Sequence, residues 1–119
     1  MANAQNVLGT RLQLCCGNTG YTREGFCYVP AGDKGNHSIC AVVTDEFLSF
    51  SKKMGNDLST PRPEYGFDGL QAGDKWCLCA MRWEQARKAG VAPKVVLAAT
   101  NKACLAEVQL ADLQAHAVD

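Results

Sequence analysis

The sequence predicts a single α+β domain, or a small α/β one, on three observations. Short apolar runs at 38–43, 76–80 and 95–99 have the length of strands, and stretches of helical spacing lie between and after them. A chain of 119 residues, 47% hydrophobic and 20% charged, can bury one core but not two. The first 38 residues are rich in Gly, Asn, Thr and Cys and carry little apolar periodicity. That third is expected to wrap the rest as loops, with strands no longer than 11–14 and 25–29.

The first apolar run, with Ile39, Val42 and Val43, is most simply a strand. Thr44 then stands where an N-cap belongs. Asp45 and Glu46 follow at the positive end of the helix dipole. Phe47, Leu48, Phe50, Ser51 and Met54 make a helical stripe, Lys52 and Lys53 load the last turn, and Gly55 suits a C′ position. A long connection, 55–75, is punctuated by Pro61, Pro63, Gly66, Gly69 and Gly73. A stretch of that length is either a binding loop or an irregular loop pinned to the core by Tyr65, Phe67 and Leu70.

The run 76–80 reads as a strand, with Cys77 and Cys79 on one face and Trp76, Leu78 and Ala80 on the other. Residues 82–89 read as a helix with Trp83, Ala86 and Arg87 along one side, stopped by Gly90 and Pro93. The run 95–99 is the clearest strand. Two strands joined by a helix form a βαβ unit, expected to be right-handed with parallel strands. Thr100 is positioned to cap a helix over 101–108, and 110–117 completes a set of three to four helices. Trp76 and Trp83 are read as core anchors and His116 as a solvated surface residue.

Twelve basic residues balance twelve acidic ones, and no cationic cluster exceeds two residues. The chain is therefore not expected to bind nucleic acid. No apolar run approaches the roughly 20 residues needed to span a bilayer. Residues 1–6 have neither a basic nor an apolar region of a secretory signal, so a cytoplasmic location is expected.

Seven cysteines, at 15, 16, 27, 40, 77, 79 and 104, are many for such a chain. Their odd number and the missing export signal weigh against a disulfide framework. Inert buried thiols, metal ligands and a reactive thiol are the alternatives. His37-x-x-Cys40 and Cys77-x-Cys79 offer one imidazole and three thiolates, a set that zinc or iron accepts, with Cys27 or Cys15 as a substitute ligand. Same-face cysteines on a strand lie about 6–7 Å apart, so both can ligate only by leaning together. Packed thiols are the bland alternative.

A thiol enzyme is a second reading. Cys79, at the end of a strand and the start of a helix, or Cys40 would be the nucleophile. Arg82 would favour thiolate, His37 would be the base, and Asp57 or Asp45 would orient it. Asn56, Asp57, Ser59 and Thr60 form a polar cluster suited to a small polar ligand. Local capping is the commoner role for such residues, with Asp57 as the exception worth testing. A third reading is a structural or interaction module whose cysteines fill the core.

Several blocks carry a resemblance: Asn6-Val7-Leu8-Gly9, Thr19-Gly20-Tyr21, the stretches 23–27, 35–44 and 46–48, and Gly55-Asn56-Asp57-Leu58-Ser59-Thr60-Pro61. The stretch 73–83, with its Trp76-Cys77-Leu78-Cys79-Ala80-x-Arg82-Trp83 block, follows, then 89–97 and the C-terminal helix. Over nearly its whole length the chain resembles a family of short bacterial proteins known only as domain of unknown function 2237. The resemblance implies no activity, because none is assigned to that family. The spacing after Cys15 is shorter than in the family, so either Cys15 or Cys16 could match the family cysteine. Thr100-Asn101-Lys102 stands where members tend to have Thr-His-Glu, which implies no histidine mechanism there. The sequence thus points to a cytoplasmic small-ligand or metal-binding protein. Its site would comprise His37, Cys40, Cys77, Cys79 and the 55–61 loop.

Overall fold

Ile39, Cys40 and Ala41 are fully buried and, with Val42, form the central strand β1 (Ile39–Val42). The computed structural model describes residues 4–17 and 23–119. The Thr19-Gly20-Tyr21 block and residues 1–3 lie outside them. β1 is flanked by β2 (Lys75–Leu78) and β3 (Lys94–Val95), both antiparallel to it, in the order β2-β1-β3. The architecture is α+β, with helices α1 (Asp45–Lys53), α2 (Ala80–Lys88) and α3 (Leu110–Ala115).

α1 forms as the sequence predicts. Thr44 has extended backbone and its Oγ1 accepts from the Phe47 amide at 3.0 Å, satisfying one donor of the open first turn. Phe47, Leu48 and Ser51 turn inward while Met54 stays 43% exposed. Gly55, at φ +92°, takes the left-handed conformation that ends the helix, and its amide returns to the Lys52 carbonyl at 3.1 Å.

β2 and β3 run the same way, as a βαβ crossover requires, but they do not pair with each other because β1 lies between them. α2 begins at Ala80, two residues before the expected start. The Ala80 amide donates to Asn36 O at 3.0 Å, so Cys79 leaves the strand and becomes the N-cap. Of the expected strand 95–99 only Val95 belongs to β3, where it follows Lys94. The Leu97 and Ala98 amides donate to the Asp119 carboxylate at 2.8 and 3.0 Å, and Leu97–Ala99 tightens into a 3-10 turn. The expected helix over 101–108 is a 3-10 turn, Lys102–Ala106, capped by Asn101 rather than Thr100. Thr100 instead donates to Val96 O at 2.8 Å and accepts from the Cys40 amide at 3.1 Å.

The main core combines Ile39, Ala41, Phe47, Leu78, Trp83, Val95 and Leu113 on one side of the sheet. Trp83 is fully buried, as expected of a core anchor, and its Nε1 donates to Pro93 O at 3.1 Å. The His116 ring stands edge-on to it at 5.2 Å, so His116 is a packed residue rather than a solvated one. Arg87 does not join the inner face. It pairs with Glu84 at 2.7 Å and reaches Asp112 of α3 at 3.4 Å.

The described residues of the N-terminal segment are loop, as expected, and neither 11–14 nor 25–29 forms a strand. Arg11 makes only an isolated bridge with Gln5. Asn6, buried to 1%, organises the segment. Its amide nitrogen donates to Thr10 Oγ1, Arg11 O and Ala98 O, while its oxygen accepts from the Leu8 and Thr10 amides. In the 55–75 connection Leu70 is buried and Phe67 packs on the core, but Tyr65 is 79% exposed.

Candidate metal centre

Strand alternation sends Cys40 and Cys77 to the face of the sheet opposite the main core. The β1–β2 register sets these two residues directly across from each other. Cys15 and Cys27 arrive from the N-terminal loops to complete a second buried cluster with Ala99. The loops are held for this. The Cys15 amide donates to Gly25 O at 2.8 Å, and Asn101 Nδ2 donates to Cys27 O at 3.0 Å.

Within the cluster Cys15 is bonded to Cys40 and Cys27 to Cys77. The expectation against disulfides is therefore overturned. What permits them is the convergence of two loop cysteines on two cross-strand cysteines, which neither the odd count nor the N-terminal sequence could register. It is Cys15, and not Cys16, that enters the cluster. Cys16 Sγ instead lies 3.1 Å from Lys75 O.

The Sγ atoms of Cys15, Cys27 and Cys77 all lie within 4.8 Å of one another, with Cys40 attached to Cys15. A tetrahedral tetrathiolate zinc centre, with Zn–S near 2.3 Å, needs sulfurs about 3.8 Å apart. Three of the four sulfurs stand within 4.8 Å of one another, and Cys40 joins them through its bond to Cys15 rather than by lying inside that group. Their exposures of 5, 0, 0 and 2% for Cys15, Cys27, Cys40 and Cys77 describe a closed site of the structural kind, with no open position for substrate.

The quartet His37, Cys40, Cys77 and Cys79 is not assembled. Among the described residues, the metal-competent group is Cys15, Cys27 and Cys77, containing neither His37 nor Cys79. His37 is held elsewhere by Asp33, whose Oδ1 lies 2.6 Å from Nδ1 and whose Oδ2 accepts from the His37 amide at 2.9 Å. Gly35 makes room for the ring, since a Cβ there would sit 2.6 Å from Cε1. The carboxylate beside His37 is thus Asp33, not Asp57 or Asp45. Sequence reasoning missed it, although the four-residue separation was a readable signal.

Cys79 is half-buried and bears no disulfide. It lines a separate surface cleft of about 420 Å³ with Met81, Arg82, Glu84, Gln85 and Lys88. Arg82 does reach this cleft, but its guanidinium is also committed to Met54 O at 3.1 Å, tying α2 to the end of α1. Cys104 is fully buried, and burial pushes its thiol up to about 12. Cys40, as a buried disulfide partner, is not available as a nucleophile in this state.

The polar loop braces itself. Asp57 accepts from the Ser59 and Thr60 amides at 3.1 Å and from the Thr60 hydroxyl. These bonds, the Thr60 hydroxyl foremost, hold its carboxyl at about 2, below the usual carboxylate range. Ser51 Oγ donates to Asn56 O at 2.7 Å. Among Asn56, Asp57, Ser59 and Thr60, capping of backbone amides falls to Asp57 alone, with the Ser59 and Thr60 hydroxyls bonded to its carboxylate.

A family model described as an uncharacterized protein conserved in bacteria matches residues 5–117. The chain belongs to the DUF2237 family. The match contains all four clustered cysteines together with His37, Asp57, Cys79 and Arg82, so the DUF2237 domain encompasses every candidate residue above. The family description assigns no activity, and no curated protein matches the chain. Among the described residues no helix is long and apolar enough to cross a membrane.

Proposed function

We propose that this protein is a cytoplasmic metal-binding protein whose ligands are Cys15, Cys27, Cys40 and Cys77. Two states share the site. In one, four thiolates hold a single zinc or iron ion; in the other, the ion is gone and the sulfurs are joined as Cys15–Cys40 and Cys27–Cys77. Reduction of each disulfide by two equivalents of a small cellular thiol, which leave joined as their own disulfide, supplies the two electrons and two protons, and metal binding then releases the thiol protons. The observation that carries the reading is the approach of three Sγ atoms to within 4.8 Å, with the fourth bonded to one of them. In a reducing compartment such a buried group of thiols is more readily a metal site than a disulfide framework. The balanced charge supports the absence of a nucleic-acid role.

The test is metal content after purification under reductant without added metal. About one zinc or iron per chain is expected, falling to background in Cys40→Ser and Cys77→Ser. The oxidised protein should contain no metal and, once denatured, titrate as three thiols: Cys16, Cys79 and Cys104. Metal-free reduced protein would end the proposal.

A thiol-dependent enzyme is the second reading, favoured by the half-exposed Cys79 sulfur in a cleft with Arg82 and Lys88. The same thiol labelling, performed on native protein, would then modify Cys79 far faster than Cys16.

A further inference from the structure

Trp76 packs against the main core, as expected of an anchor, but its indole stays partly exposed, on the opposite side of β2 from the sulfur cluster. Phe67 leans on it with ring centroids 5.5 Å apart at 57°, and the Arg23 guanidinium lies 5.7 Å from the indole centroid. Beside them is a cavity of about 190 Å³, lined by Arg23, Leu58, Arg62, Tyr65, Phe67 and Trp76.

Its wall is built rather than incidental. Arg62 and Phe67 exchange backbone hydrogen bonds, 2.7 Å from the Arg62 amide and 3.1 Å from the Phe67 amide. These close a short loop around the 3-10 turn Pro63–Tyr65, so Tyr65 is held 79% exposed on a stiff support. Arg23 adopts φ +61°, a left-handed backbone that costs a non-glycine residue roughly 1–2 kcal/mol and is found most at binding sites. Among the described residues, the only charged groups lining the cavity are the two arginines. Among the described residues neither forms an ion pair. The larger hollow alongside also carries Asp68, Asp74 and Lys75, so the purely cationic lining belongs to the smaller cavity.

We infer that this cavity binds a small planar aromatic carboxylate, its ring against Trp76 and Phe67 and its carboxylate on Arg62 and Arg23. An apolar cavity near 150 Å³ accommodates benzene, so 190 Å³ holds one ring with a small substituent. Aromatic walls supply offset or edge-on ring contacts, and guanidinium is the cation suited to a planar two-oxygen anion. The inference goes beyond the proposed metal centre and does not rest on it, because no cysteine lines the smaller cavity.

The probe is benzoate, followed by two-dimensional amide NMR of the full chain. Cyclohexanecarboxylate, benzamide and inorganic phosphate serve as comparisons. Benzoate should give saturable shifts confined to residue 23, residues 58–67 and residue 76. It should bind about tenfold more tightly than any of the three comparisons, each of which forfeits a charge-assisted or ring contact. Arg62→Gln and Arg23→Gln should each weaken benzoate by about tenfold while leaving distant resonances in place. Phosphate binding as tightly as benzoate, equal binding of the uncharged or non-aromatic probes, unaffected binding in both arginine variants, or no saturable shift would each overturn the inference.

Discussion

Single side chains in this protein do their work mostly by satisfying backbone, and Asp57 is the clearest case. Its carboxylate gathers two amides and a hydroxyl into one turn. With its carboxyl held at about 2 in the fold against 3.8 without it, the stabilisation is present above roughly pH 4 and is lost as pH falls toward 2. Asp57→Asn should therefore melt below wild type at neutral pH, with the gap in melting temperature closing between about pH 4 and pH 2. A constant gap over that range would contradict the assignment. Asp33 acts on the same scale. Its buried carboxylate holds His37 at two atoms, the ring through Oδ1 and the backbone amide through Oδ2.

Elements differ in how far the sequence specifies them. α1 was legible because all its determinants are local: Thr44 as cap, acids then lysines along its length, Gly55 at its end. Thr44→Ala removes the Phe47 hydrogen bond and should cost about 1 kcal/mol. For a chain of this size that lowers the melting temperature by roughly 3–6 °C, measurable by calorimetry. The region 95–101 was misread for the opposite reason. Its β-branched and apolar residues favour a strand, but the Leu97 and Ala98 amides are claimed by Asp119, twenty-odd residues away. The start of α2 follows the same logic, since Asn36 O draws the Ala80 amide into the first turn. Local propensity predicts an element only where its backbone groups find partners within it.

At the scale of the whole molecule the candidate centre was half legible. Cys40 and Cys77 could be chosen from their strands, whereas Cys15 and Cys27 stand in loops with no periodicity, and only long-range folding brings them to the sheet. The two cross-links each join one loop cysteine to one strand cysteine, at separations of 25 and 50 residues. In chain-entropy terms, closures of this length contribute roughly 3.5–4 kcal/mol apiece, though not additively when they interlock. With reductant and chelator together, neither a disulfide nor a metal ion can supply that restraint. Trypsin should then cut after Arg11 or Arg23 at least about tenfold faster than in untreated protein, while the sheet's amides stay protected. Equal cleavage rates would mean that the sulfurs restrain nothing.

The placement of those links, both on one face of a three-stranded sheet, adds two covalent rivets to the hydrogen bonds by which Asn6, Val7 and Gln13 already fasten the N-terminal loops. Stripping away both the cross-links and any metal would leave those loops held by hydrogen bonds alone, above a sheet that keeps its own pairing.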